Sequence, residues 1–399
     1  MKKVEQLWLG LSLCCAVFTS TAQTAEKEQL PDRVMLTWSD NPSSTQSVSW
    51  RAHSGSDKFL GQVVEEQSSP DLEERARLVV GKLSLLDRGA GKKDSYGHVT
   101  FGDLKPGTLY AYRVGDGQQW SSWNQFRTAD ATGDFSFIYL GDAQNDLRSR
   151  WSRSIRKAFQ QEPNARFIVH AGDLINRSNT DSEWGEWYEG AGFIHQMIPA
   201  VPTPGNHEYR RDSLEQLVLD PHWKVQFNLP KNGPEKLQDA VYFLDYQDVR
   251  IISLNSQLIM LDSLAALSQE KWLEKVLASS KKKWNIVVMH HPVYSTAKNR
   301  DNTILRERFK PIFEKYAVDL VLQGHDHTYA RGTVDSPRPV YLLSVAGPKM
   351  YDSDSERWMQ VAASHTQLYQ VIRVTDSKLY FSSYKLNGEL FDSFELPKK

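Results

Sequence analysis

Cysteine is almost absent from the 399-residue chain: Cys14 and Cys15 are the only two, and both sit near the amino terminus. Everything after them has no thiol, so disulfides, thiolate-bound metals and a cysteine nucleophile are excluded there. Neither sign of charge is in excess. With 48 Lys and Arg against 49 Asp and Glu, the formal net charge is -1, and the chain has no global basic field to hold nucleic acid or an anionic membrane. No Gly-x-Ser-x-Gly elbow signals a serine nucleophile. Beyond the first residues no apolar run reaches the roughly 18 residues of a spanning helix. There is no internal repeat or low-complexity tract.

The chain begins "MKKVEQLWLGLSLCCAVFTSTAQTAEKEQ". Two lysines, an apolar stretch ending near Phe18 and small residues at Ser20, Thr21 and Ala22 follow the order of a secretory signal peptide, expected over residues 1–22. The remainder is then expected to be periplasmic or secreted, with no membrane partner once the leader is cut.

Residues 31–128 carry short alternating runs such as "VMLTWSD", "SVSWRA", "HVTFGDL" and "LYAYRV", separated by Gly, Pro, Asn and Asp. Period-two alternation with turns at that spacing predicts a β-sandwich. "GAGKKDS" at 89–95 reads as a hairpin turn, because Lys93 stands where a phosphate loop needs Ser or Thr. From residue 134 to 399 the pattern changes. "FSFIYL", "RFIVH", "VRIISL", "WNIVVM" and "VDLVLQ" are continuous apolar runs, as expected of strands covered on both faces. Amphipathic segments separate them, and Pro311 is expected to kink or shorten the one that contains it. The fold class predicted is α/β, a sandwich followed by a layered domain, with antiparallel strands closing the chain.

Each buried strand ends in a polar group: "GDAQ" with Asp142, "GDLIN" with Asp173, "GNHEY" with Asn206 and His207, "HHP" with His290 and His291, and "GHDH" with His325 and His327. Singly, each of these is an ordinary turn. Five in succession after apolar strands point to one site, because ligands in α/β sheets bind beyond the carboxyl ends of the strands. Carboxylate, amide oxygen and imidazole suit two ions of Fe, Zn or Mn, and one carboxylate has two oxygens with which to bridge them.

The series resembles the metallophosphoesterase (calcineurin-like phosphoesterase) superfamily, and with "VMLTWSDNPSSTQSVSW" and "HVTFGDLKPGTLYAYRVGD" in front it is similar to the purple acid phosphatase branch. That resemblance implies a fibronectin-III-like sandwich before an αββα catalytic domain. By position it assigns Asp142 and His327 to a first metal, Asn206, His290 and His325 to a second, and Asp173 as the bridge. It also implies attack of a metal-bound hydroxide on phosphorus, with His207 as general acid and Glu208 orienting that imidazole or its loop. Two positions depart from the pattern. Asn176 stands where this branch has a tyrosinate ligand, and Gln144 where other branches have a histidine. Gln144 or Asn176 is therefore expected to complete the first site through an amide oxygen, or water does. His291 and Arg300 are candidates for phosphate binding. The leading substrate is a small phosphomonoester. A phosphodiester or nucleotide is the alternative, and a catalytically dead extracellular binding protein the reading from another class.

Overall fold

A computed structural model describes residues 30–398 except 53, 54, 90 and 355. The expected leader and both cysteines lie outside the described residues.

Alternation in the first segment produces two four-stranded antiparallel sheets. Asp32–Thr37, Gln46–Arg51, Lys93–Phe101 and Lys82–Asp87 pair in that order in one sheet, and Arg77–Val80, Leu60–Glu65, Leu109–Gly115 and Asn124–Arg127 in the other. Their inner faces bring Leu36, Val48, Trp50, Phe101, Tyr112 and Phe126 into one core. Burying an aliphatic or Phe side chain in this way contributes about 1.5–3 kcal/mol. Lys82–Asp87 and Lys93–Phe101 form a hairpin in which Asp87 pairs with Lys93.

The second domain faces two sheets together. Phe135–Leu140, Ile168–Ala171 and Ala200–Thr203 run parallel in one sheet, extended by antiparallel Leu368–Val374, Lys378–Lys385 and Leu390–Pro397. In the other, Val249–Leu254, Trp284–Met289, Leu320–Gln323 and Val340–Leu343 run parallel. Tyr242–Tyr246, Tyr329–Gly332 and Met359–Ala363 complete its edges. Polar tips tie the facing surfaces. The Tyr139 hydroxyl donates to the Gln323 carbonyl and accepts the Gln323 N–H, and the Tyr242 hydroxyl donates to Pro202 at 2.8 Å.

Helices cover the outer faces. Ser152–Gln161 buries Ile155 and Ala158 against the first sheet. Ser263–Ala278 begins where the Asp262 side chain accepts the N–H groups of Leu264 and Ala265, two donors that a helix start otherwise leaves open. It buries Leu273, Val276 and Leu277 against the second sheet. The amphipathic stretch around Pro311 splits into Thr303–Arg308 and Lys310–Lys315. Proline lacks an N–H and fits only the first turn of the second piece.

A helix at Asp181–Ala191 fixes one domain on the other. The Arg33 guanidinium, with its side chain 5% exposed, meets Asp181 at 2.6 Å, and Arg51 and Arg88 approach the same carboxylate at 3.4 and 3.1 Å. All three arginines come from the sandwich. The carboxylate occupies a helix amino terminus, where negative charge is also favoured by the helix dipole.

Candidate metal centre

Parallel strands that begin on one side of a sheet end on the same side. Leu140, Ala171, Thr203, Met289 and Gln323 are the last residues of their strands, and the loops that follow bring all five motifs together. The chain turns sharply there. Asp142, Asp173, His325 and His327 have positive φ angles of 46°, 52°, 75° and 51°, a region that costs a residue with a side chain about 1–3 kcal/mol and clusters at functional sites. Two glycines make room. A Cβ at Gly205 would lie 2.2 Å from Asp173 Oδ1, and one at Gly324 would lie 2.6 Å from Asp142 Oδ2.

Two groups of side chains offer converging donor atoms within 4.8 Å of one another: Asp142, Asp173 and His327, and Asp173, His290 and His325. Asp173 is in both. His290 directs Nδ1 at the Ala171 carbonyl at 2.8 Å, so that nitrogen carries the proton and Nε2 presents its lone pair. Facing that lone pair are Asp173 Oδ2 at 3.0 Å, Asn206 Oδ1 at 3.2 Å and His325 Nδ1 at 3.2 Å. His327 does the same with Nδ1 on the Lys349 carbonyl at 3.0 Å, leaving Nε2 3.9 Å from Asp142 Oδ1. Electron-rich atoms in such contact repel unless a cation sits among them. Donors sharing one ion at about 2.1 Å stand roughly 3 to 3.5 Å apart, so the contacts around His290 fit a shared metal, while the pair at His327 stands somewhat wider.

The electrostatics carry the same tension. Burial, opposed by His290 and reinforced by Asp173, pushes Asp142 up to about 8. Burial acts on Asp173 in the same direction, but where a proton and not an ion lies at His290 Nε2, the charge and hydrogen bond of His290 outweigh burial and hold this carboxylate well below its usual range. His290 resists its own burial through Asp173 and rises to about 9. His325 is driven well below the ordinary imidazole value by burial and by His291 and His290, and His327 falls to about 3 through burial and Lys349.

The remaining candidates divide. His207 directs Nδ1 at the Asn176 carbonyl at 2.6 Å, which leaves Nε2 3.9 Å from Asp173 Oδ2 on a ring 25% exposed. Glu208 orients the loop and not the imidazole: it accepts the N–H groups of Asp173, Leu174 and Gly205 at 3.0, 2.8 and 2.6 Å. Asp173 Oδ1 accepts the His207 N–H at 2.9 Å, and Oδ2 faces both Gln144 and His290.

Gln144 is buried beside the first group, but its oxygen is not turned to it. Nε2 donates to Asp173 Oδ2 at 2.8 Å, and Oε1 accepts from Lys349 Nζ at 3.3 Å. Asn176 enters the site through its backbone, with its carbonyl on His207 and its N–H on Glu183. His291, expected to face substrate, is 2% exposed, with its ring 4.1 Å from that of His325 and Nδ1 on Ser256 at 2.9 Å. It backs His325. Arg300 stands at the rim, donating to the His325 carbonyl at 3.1 Å and to the buried Asp326 carboxylate at 2.9 Å. Lys349 and Tyr351, whose ring lies 4.8 Å from that of His327, had no signal in the sequence because they follow no buried-strand motif already marked by a ligand residue.

Comparison with known proteins places both domains in a family. Residues 133–329 match the Calcineurin-like phosphoesterase family, and residues 31–128 match the Purple acid Phosphatase, N-terminal domain. The chain is 25% identical over 325 residues to a probable purple acid phosphatase 20 of Arabidopsis thaliana, covering 78% of this chain and 70% of that protein. It is 26% identical over 278 residues to the human (Homo sapiens) acid phosphatase type 7, covering 62% and 60%. The fold is similar to that of a purple acid phosphatase from yellow lupin (Lupinus luteus) seeds, with a TM-score of 0.78 at 18% identity over 92% of this chain and 74% of the other. With a sandwich of the purple acid phosphatase type leading into the layered domain that gathers these donors, the chain belongs to the calcineurin-like phosphoesterases, as a metal-dependent phosphoester hydrolase of the purple acid phosphatase kind.

Proposed function

We propose that the protein is a phosphomonoesterase, exported by its leader to the periplasm or beyond, that works with two ions drawn from Fe, Zn and Mn. Asp142 and His327 would hold one ion, Asn206, His290 and His325 the other, and Asp173 both. Bound there, two ions would supply Lewis-acid polarisation of the phosphoryl group and acidify a water near neutral pH.

The observation that carries this reading is the position of His207. Its Nδ1–H is spent on the Asn176 carbonyl at 2.6 Å, which fixes the ring. Its Nε2 is 3.9 Å from Asp173, too far for a hydrogen bond. A proton on Nε2 is therefore free to pass to the leaving oxygen of an ester lying over the donor groups. A positioned acid of this kind contributes about 10²- to 10⁴-fold.

Charge at the rim favours a monoester. Arg300 is tethered to the His325 loop and Lys349 lies beside Gln144, so a fixed cation stands near each donor group. A dianionic phosphoryl group suits two cations better than the single charge of a diester. The test is turnover of a phosphomonoester and its matching diester by protein supplied with Mn, Zn or Fe. A higher kcat/KM on the monoester is expected. A preference for the diester, or no turnover with any ion, would overturn the reading. Fractionation of cells and sequencing of the mature amino terminus test the export.

A further inference from the structure

The carboxamide of Gln144 is wholly buried between an anion and a cation, and they settle which way it faces. A carboxylate only accepts hydrogen bonds and an ammonium only donates them. Nε2 therefore belongs on Asp173 Oδ2, at 2.8 Å, and Oε1 on Lys349 Nζ, at 3.3 Å. Nε2 also lies 3.4 Å from His327 Nε2, so N–H groups, and not an oxygen, face the donors of the first group. Lys349 is anchored from several sides. Its carbonyl accepts the His327 Nδ1–H, its ammonium lies 5.5 Å from the centre of the Tyr351 ring, and the Tyr351 N–H donates to the His327 carbonyl at 3.3 Å.

We propose that Lys349 makes the first metal position a weak and exchangeable one by holding the Gln144 oxygen away from it. The inference rests on the dinuclear reading given above and adds an asymmetry to it. The second position has four donors from the chain: Asp173, Asn206, His290 and His325. The first has three, Asp142, Asp173 and His327, with an ammonium close by that opposes a second cation. Lys349 is thus a positioning residue. It sets the orientation of Gln144, and through it the affinity of one ion and the number of coordination places left open to substrate.

The experiment is calorimetric titration of the metal-free full chain with Mn²⁺ alone, which reads affinity without reference to activity. The wild type should show one tight and one weak step. In Lys349→Met the partner that holds the carboxamide oxygen and the repulsion are both gone, leaving only the Asp173 contact to be exchanged for the ion, so the weak step should tighten by about 10- to 100-fold, the range that groups next to metal ligands command. The tight step should stay within about twofold. Gln144→Leu in the wild-type background should leave the weak step unchanged, whereas added to Lys349→Met it should cut the gain back to the part that loss of the repulsion supplies. Circular dichroism and the retained tight step report folding of each variant. Two steps of equal affinity in the wild type, or a weak step that Lys349→Met leaves alone or weakens, would overturn the proposal while leaving a dinuclear centre intact. A chain that binds no Mn²⁺ at either position would instead remove the reading on which it rests.

Discussion

Glu208 Oε2 accepts the N–H of Asp173 at 3.0 Å while its Oε1 accepts the N–H of Leu174 at 2.8 Å. One buried carboxylate thus fixes the turn that carries the shared metal donor. Oε2 also takes the Gly205 N–H, which ties the "GDLIN" and "GNHEY" loops together. In Glu208→Gln one oxygen becomes an NH₂ that cannot accept, and at least one buried N–H loses its partner. Such an orphan costs about 1–3 kcal/mol. Urea unfolding should show a loss of that size, together with weaker metal binding. An unchanged midpoint would mean that the loops hold their shape without it.

His207→Ala should keep the metals and lose rate according to the leaving group. Alkyl phosphates, whose departing oxygen needs a proton, should lose about 10²- to 10⁴-fold. Aryl phosphates with acidic leaving groups should lose far less. Equal losses on both kinds of substrate, with the metals retained, would make His207 a binding residue and not the proton donor.

Iron-loaded protein should show no intense visible charge-transfer band, because position 176 is Asn and not Tyr. The loop there is committed to another task, since the Asn176 carbonyl holds His207. An absorption spectrum with a strong tyrosinate band would contradict the assignment.

The five strand-end motifs were legible because a buried parallel strand is a continuous apolar run, and its end is marked by the first polar residue after it. Gly-Asp after "FSFIYL" and His-His after "WNIVVM" needed no structure to be found. What lies between strands distant in sequence was not legible. Lys349 meets Gln144 across 205 positions, because Val340–Leu343 pairs beside Leu320–Gln323. The side to which the Gln144 amide turns depends on that neighbour together with Asp173. The helix at Asp181–Ala191 also went unseen, since Gly185 and Gly190 weaken helical propensity. Its stability comes from tertiary contacts, among them Trp184 and Trp187, both fully buried, and the three arginines around Asp181.

Stability should fall with acid for a reason remote from the metals. Burial pushes His170 down to about 3, and burial together with His170 holds His195 well below the ordinary value of 6.5. Between about pH 6.5 and 3 the unfolded chain binds protons that the folded chain excludes, so stability is full above 6.5 and is lost as the pH falls through that window. The slope is at most about 1.4 kcal/mol per pH unit for each group. His195 stacks on Trp187 with ring centres 4.5 Å apart, a contact that His195→Phe keeps while removing the titrating group. Urea midpoints compared at pH 7.5 and 5 should therefore differ less in the variant. An identical acid loss would place the sensitivity elsewhere.

The central claim is that Asp173 serves two ions at once, and metal content tests it most directly. Elemental analysis of the purified chain should find two ions in the wild type under saturating metal. Asp173→Asn should deplete both, because Asp173 belongs to both donor groups, whereas Asp142→Asn should deplete one. Full occupancy in Asp173→Asn, or loss of only one ion from it, would contradict the account.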